Sequence, residues 1–295
     1  EMGLFGLPFP EDVGGQGGDY FALGLAIEAL ARVDQSIAIT LEAGVSLGAM
    51  PVFRFGTDAQ RADLLPDLLA GRALAGFGLT EPEAGSEGGA TRTTARLDAD
   101  EWVIDGSKQF ITNSGSEITS VVTVTARTGT REDGRPEIST IMLPAGTPGF
   151  IVGPGYDKLG WHISDTHPLT FEGVRVPAEN LLGERGRGYA QFLATLDDGR
   201  VAISALALGL IEACLAACLE YAGDRQTFGG PIGRKQGVAF QIADLKVMAD
   251  ASRALTYQAA AMKDAGVGGA AFKQAASVAK LYTSESAVTA TRIAT

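Results

Sequence analysis

Histidine and cysteine are nearly absent: the 295 residues hold two of each. Two cysteines cannot build a disulfide framework. Cys214 and Cys218 stand four apart in an apolar run, which puts both on one helix face as small buried hydrophobes. They suit a reducing compartment, so a cytoplasmic location is expected, with the mitochondrial matrix as the alternative. His162 and His167 read as solvent-facing or locally hydrogen-bonded imidazoles, and no metal is expected. No block of Lys or Arg occurs and the net charge is −11, so a nucleic acid finds no basic face. No secretory signal or transit peptide and no internal repeat is visible. A dinucleotide fingerprint is also missing: Gly14-Gly15-Gln16-Gly17-Gly18 has the wrong spacing and follows no strand. The most apolar stretch, Val201 to Ala222, carries Glu212 near its centre, which a bilayer would penalise heavily. It reads as a buried bundle helix, and no membrane span is expected.

What is present describes a soluble globular chain, 45% hydrophobic and 20% charged, long enough for two or three structural layers or domains. Residues 1–75 read as helical. Asp19 can cap a helix carrying Tyr20, Leu23, Ile27 and Leu30 at helical spacing, and Thr57-Asp58-Ala59-Gln60 is a capping box. Gly71 can end the segment after Pro66. From 76 to 180 the period changes to two. Trp102 to Ile104, Val121 to Thr125, Ile138 to Leu143 and Leu169 to Phe171 predict strands, with turns at Asp105-Gly106, Asp133-Gly134 and Pro148-Gly149. With no helices between them, these strands predict an antiparallel sheet or barrel. Residues 181–295 return to helices: Gly186 to Gly199, then Val201 to Ala222, then Gln236 to Asp264 and Ala270 onward. The expected fold is α+β: an N-terminal helical domain, a middle antiparallel β-barrel domain and a C-terminal antiparallel helix bundle.

Two segments carry the chemistry. Gly76-Phe77-Gly78-Leu79-Thr80-Glu81-Pro82-Glu83-Ala84-Gly85-Ser86-Glu87-Gly88-Gly89-Ala90 has no ordinary helix or strand period and crowds glycines and hydroxyls around a Thr-Glu-Pro turn. Such a backbone can approach a flat polar ligand closely. About twenty residues on, Lys108-Gln109-Phe110-Ile111-Thr112-Asn113 sets an aromatic beside a hydroxyl and an amide. Further signatures are Lys158-Leu159-Gly160 with Ser164-Asp165-Thr166, Val174 to Gly183, Thr195 to Arg200, and Asp224-Arg225-Gln226-Thr227-Phe228-Gly229 followed by Gln236. Together they resemble the FAD-dependent acyl-CoA dehydrogenase family over Gly3 to Thr295.

The resemblance implies FAD as cofactor and an acyl-CoA thioester as substrate, oxidised to the trans-2-enoyl-CoA. Phe77, Leu79, Thr80, Gly85 and Ser86 would line the flavin edge, and Phe110, Ile111 and Thr112 its wall. Phe110 stands where many members carry Trp. Ser86, Ser164, Asp197 and Arg200 would face the acyl-CoA, while Arg225, Thr227, Phe228 and Gln236 would serve the FAD of a neighbouring subunit. The implied assembly is a homotetramer, a dimer of dimers, with an electron-transferring flavoprotein as electron acceptor. Some members carry the catalytic Glu where this chain has Gly199. The family's other base, a Glu in a Tyr-Glu-Gly-type turn, has no match here and is expected beyond Thr295. On that reading the N-terminal and C-terminal domains are incomplete. The alternatives are an acyl-CoA oxidase-like flavoenzyme and a non-catalytic flavin- or acyl-CoA-binding subunit.

Overall fold

The computed structural model describes residues 2–295. Its α-carbon contacts divide the chain into two compact units. One unit comprises the segment to Gly17 and Thr40–Leu196; the other comprises Gly18–Ile39 and Asp197–Thr295.

Short helices open the chain. Helix α1 spans Tyr20–Ala31, and the Asp19 carboxylate accepts the Ala22 N–H at its start (2.7 Å). Helix α2, Gln35–Glu42, runs without a break into a π-helical turn, Ala43–Ala49, and then α3, Met50–Phe55. Helix α4, Asp58–Leu69, starts at the expected capping box: the Thr57 hydroxyl accepts the Gln60 N–H and the Gln60 side chain accepts the Thr57 N–H. Pro66 lies inside α4 without ending it; Gly71, left-handed at φ +69°, follows its end.

The first unit is built on a sheet of β1 (Leu74–Gly78), β2 (Thr94–Asp98), β3 (Glu101–Thr112), β4 (Thr119–Thr130), β5 (Pro136–Pro144), β6 (Phe150–Val152), β7 (Thr166–Pro177) and β8 (Leu181–Leu182). Strand order is β6-β7-β3-β2-β4-β5-β8, with β1 added beside β4. Alternation, broken by a register shift between Phe171 and Val174, sends Trp102, Ile104, Val122, Val124, Ile141, Leu143, Leu169, Phe171, Val174 and Val176 into one apolar core. The sheet departs from the all-antiparallel expectation at β4, with which β1 pairs in parallel from Leu74↔Thr119 to Gly78↔Val124 and β2 in parallel at Thr94↔Arg127. Two strands and a long loop separate β1 from β4 in sequence, which gives the chain room to return in the same direction. A second correction follows: Gly76, Phe77 and Gly78 are not loop but the end of β1.

Helix α5 is a single 37-residue helix, Gly188–Asp224, where two segments were expected. Gly199 lies buried within it and does not interrupt it, since one glycine costs a helix only about 1 kcal/mol. Its start needs glycine for another reason: a Cβ on Gly188 would sit 2.3 Å from the Ser139 carbonyl carbon. In the second unit α5 is followed by a two-residue ribbon, β9 (Gln226–Thr227) and β10 (Gly230–Pro231), and by helices α6 (Gln236–Asp264) and α7 (Gly269–Ala294). Ile211, Cys214, Leu245 and several alanines of α5, α6 and α7 form its core. Helix α1 docks on α6: the Asp264 carboxylate accepts the N–H groups of Tyr20 and Phe21 (2.9 Å each), and the Tyr257 hydroxyl donates to Glu28 (2.9 Å). By length and composition Gln35–Phe55 and α5 could each cross a membrane. In the structure Glu212 on α5 pairs with Arg32 and Arg253.

Candidate active site

Strand β1 delivers Phe77 half-buried, with its ring stacked on Phe192 of α5 (centroids 3.8 Å, planes at 24°). Leu79 and Thr80 follow, both half-buried, and Gly85 and Ser86 lie exposed on the loop. Nothing within 4 Å would meet a side chain at Gly85. The hydroxyls of Thr80 and Ser86 have no hydrogen-bond partner among the described residues, so both are available to a ligand.

The second segment reaches the same place through an irregularity. The β3–β7 register shifts between Lys108 and Ile111. Lys108 and Ile111 are three apart, an odd spacing that would put them on opposite faces of a regular strand, yet both point inward. The bulge turns Phe110 outward, 60% exposed, with φ +60°. A non-glycine residue at that φ is strained, and such strain gathers at functional sites. Tyr156 leans on the Phe110 ring (4.9 Å), and its buried hydroxyl has no partner among the described residues; neither has the Asn113 side-chain oxygen. The Gln109 N–H donates to the Thr80 carbonyl (2.8 Å), which holds the two segments edge to edge.

Two expected contact residues are closed instead. Ile111 is 2% exposed in the sheet core, because the bulge sends Phe110 out in its place. Ser164 is buried, and its carbonyl accepts the Lys158 ammonium. Thr112 is half-buried and pairs with Thr166 in the β3–β7 ladder.

Several residues that organise this region carried no expectation. Under the loop lies a fully buried ion pair, Lys108–Glu81, at 2.7 Å. Burial alone would raise the Glu81 carboxyl; the Lys108 ammonium, its hydrogen bond, the Arg92 N–H and the Thr91 hydroxyl outweigh that and hold it at about 2. Burial lowers the Lys108 ammonium to about 8, with Glu81 opposing the shift. The usable signal was a lysine at an inward position of an apolar strand, matched by the lone acid of the Thr-Glu-Pro turn. Asp165 is the other: its carboxylate accepts the N–H groups of Asn113 (2.8 Å) and Gly115 (2.7 Å), fixing the turn beyond Phe110. His167 bonds locally, Nδ1 to the Gly153 carbonyl (2.8 Å).

In the second unit Asp197 and Arg200 form an ion pair with each other, and Asp198 pairs with Lys263 (2.7 Å). Arg225, Gln226 and Phe228 are exposed on the ribbon, Thr227 is half-buried, and Gln236 is exposed at the start of α6. The Phe228 side chain is 96% exposed at φ +49°. Arg225 is anchored by its backbone, N–H to the Tyr221 carbonyl and C=O from the Ile232 N–H, while its guanidinium bonds to none of the described residues.

Three family models match consecutively: acyl-CoA dehydrogenase N-terminal domain over 1–72, middle domain over 76–174 and C-terminal domain over 186–295. A probable acyl-CoA dehydrogenase, YngJ of Bacillus subtilis (strain 168), is 45% identical over 290 residues, 98% of this chain and 75% of that one. The chain belongs to the acyl-CoA dehydrogenase family. It is an oxidoreductase of that family. The short-chain specific acyl-CoA dehydrogenase of Megasphaera elsdenii is 43% identical over 90% of this chain and 70% of its own. The solved butyryl-CoA dehydrogenase of Megasphaera elsdenii superposes with a TM-score of 0.94 at 42% identity, covering 99% of this chain and 76% of that one. A chain in a structure described as the electron transferring flavoprotein of Acidaminococcus fermentans matches with a TM-score of 0.93 at 41% identity, covering 99% and 75%. An FAD-dependent dehydrogenase matches with a TM-score of 0.92 at 30% identity, covering 99% and 78%. The helical, β-sheet and helical order seen here is therefore the family's fold.

Proposed function

We propose that this acyl-CoA dehydrogenase binds FAD against the Leu79–Ser86 loop and the Phe110 bulge, and that it oxidises a short saturated acyl-CoA to the trans-2-enoyl-CoA. The observation that carries the reading is the pairing of these two segments, edge to edge through the Gln109–Thr80 hydrogen bond, with an exposed aromatic on one side and unpartnered hydroxyls on the other. That donor set fits an isoalloxazine, a flat ring with an apolar face and a polar edge. Bound FAD supplies the acceptor for the Cβ hydride while the Cα proton leaves to a base. Thr80 would donate to the ring's polar edge, where negative charge gathers. Ser86, exposed on the loop, would orient the thioester. Phe77, braced by Phe192, and Phe110, braced by Tyr156, supply apolar surface that excludes water. The Asp197–Arg200 pair would order the ligand side of α5. No described residue is assigned the base, since position 199 is glycine.

The names of the Megasphaera elsdenii relatives support the short acyl chain, and the Acidaminococcus fermentans neighbour supports an electron-transferring flavoprotein as acceptor. The exposed Arg225–Phe228 ribbon supports a subunit interface at which Arg225 and Gln236 reach a neighbour's FAD in a homotetramer. The free thiols of Cys214 and Cys218 fit a reducing compartment.

The test is to purify the full-length protein as encoded, add FAD and titrate with butyryl-CoA. Uptake of FAD with a flavin spectrum, followed by bleaching on butyryl-CoA, is the expected result. A protein that takes up no FAD refutes the reading. FAD uptake with no bleaching by any saturated acyl-CoA favours a binding subunit instead.

A further inference from the structure

Lys108 and Glu81 are closed to solvent, with side-chain exposures of 0% and 1%, and no step of the proposed reaction uses them. Burying two charges is costly unless their remaining hydrogen-bonding capacity is filled. Here it is filled from a small set of places. The Lys108 ammonium donates to the Glu81 carboxylate (2.7 Å), the Leu79 carbonyl (3.3 Å), the Thr91 hydroxyl (3.2 Å) and the Thr125 hydroxyl (3.0 Å). Glu81 also accepts from the Thr91 hydroxyl (2.7 Å) and from the N–H groups of Arg92 (2.6 Å) and Thr93 (3.2 Å). The loop that carries Gly85 and Ser86 is thus fastened at its entry, Leu79–Glu81, and at its exit, Thr91–Thr93. Lys108 is also two residues before Phe110 on β3. Gly78 makes room for the lysine stem: a Cβ there would lie 2.9 Å from Val124 Cγ1 and 3.4 Å from Lys108 Cγ.

We infer that Lys108 and Glu81 are positioning residues for the cofactor: one buried ion pair locks the Leu79–Thr93 loop to the Phe110 bulge, so that the ring's donors and its aromatic wall are set before FAD arrives. This rests on the flavin reading of the site. Preorganisation of this kind raises affinity by lowering the ordering cost of binding. A pair that served only the sheet's stability would leave affinity untouched once its charges were removed together.

The test compares Lys108→Met, the double variant Lys108→Met/Glu81→Gln, and Val176→Ala in the sheet core as a stability control. Glutamine keeps an acceptor for the Arg92 N–H and leaves no unpaired charge. The readouts are backbone hydrogen exchange across 79–93 in the apoprotein and the FAD dissociation constant. Lys108→Met strands the Glu81 charge and is expected to unfold or melt early. The double variant is expected to fold, exchange about tenfold faster across 79–93 and bind FAD about tenfold more weakly. The control loses melting temperature with its FAD affinity unchanged. If the double variant folds with exchange and affinity like wild type, the inference is overturned. If it does not fold, Thr125→Val, which is isosteric and keeps both charges, decides. Faster exchange in 79–93, with FAD binding weakened about threefold, supports the inference; wild-type values for both overturn it. A wild-type protein that takes up no FAD refutes the flavin reading, and exchange in the apoprotein still shows whether the pair ties down the loop.

Discussion

Phe110 spends conformational energy to face outward. A phenylalanine in the left-handed region costs about 1–2 kcal/mol relative to a relaxed backbone, and its ring gains little from burial at 60% exposure. In a sheet selected for stability alone, glycine would be the better residue. Phe110→Gly is therefore expected to leave the apoprotein's melting temperature unchanged or to raise it, while FAD binds more weakly. Differential scanning calorimetry of the apoprotein and a flavin fluorescence titration check both halves. A variant that melts well below wild type would show that the Phe110–Tyr156 contact outweighs the backbone strain.

At the scale of the element, the π-helical turn Ala43–Ala49 brings helix backbone close to β1. A Cβ on Gly48 would come within 3.0 Å of the Ala75 carbonyl oxygen, and one on Gly44 within 2.6 Å of the Phe5 ring. Such turns are frequent at functional sites. Immediately before this one, Glu42 is buried, and burial pushes its carboxyl up to about 8 against the opposing Ser46 hydrogen bond. The folded protein therefore holds the Glu42 proton more tightly than the unfolded chain does. Its contribution to stability is full below about 4.5 and is lost as pH rises through about 8. Glu42→Gln removes that loss. It is expected to match wild type near pH 4 and to exceed it by about 4 kcal/mol at pH 8, read by urea unfolding at the two values. Equal stability at both would show that Glu42 ionises in the folded state as it does in water.

At the scale of the whole molecule, the net charge of −11 means that an anionic cofactor must be held by local cations rather than by the overall field. The guanidinium of Arg225, which bonds to none of the described residues, is the proposed group. An arginine fork suits a pyrophosphate. Arg225→Ala is expected to weaken FAD retention by about 1.5–3 kcal/mol while circular dichroism stays as in wild type. Light scattering on the wild type is expected to give four subunits. A folded monomer with full FAD occupancy would count against the shared-site assembly.

The order of helices, sheet and helices was written in local patterns: the capping box at Thr57, alternation at Trp102–Ile104, helical spacing from Tyr20 to Leu30 in α1. The two segments of the candidate site were legible because close approach to a flat ligand needs glycines and hydroxyls in one short run, whatever the rest of the chain does. Three things were decided only in three dimensions, each because it depends on residues far apart in sequence. The parallel partner of β1 is 45 residues downstream at Thr119, so no local period could reveal it. The exposure of Phe110 and the burial of Ile111 follow from a register shift against β7, which inverts the facing that alternation predicts. Lys108 and Glu81 are 27 residues apart, and nothing local to either names the other as its partner. Only packing closes them off from water, and that exclusion turns two solvated side chains into the buried ion pair beneath the loop.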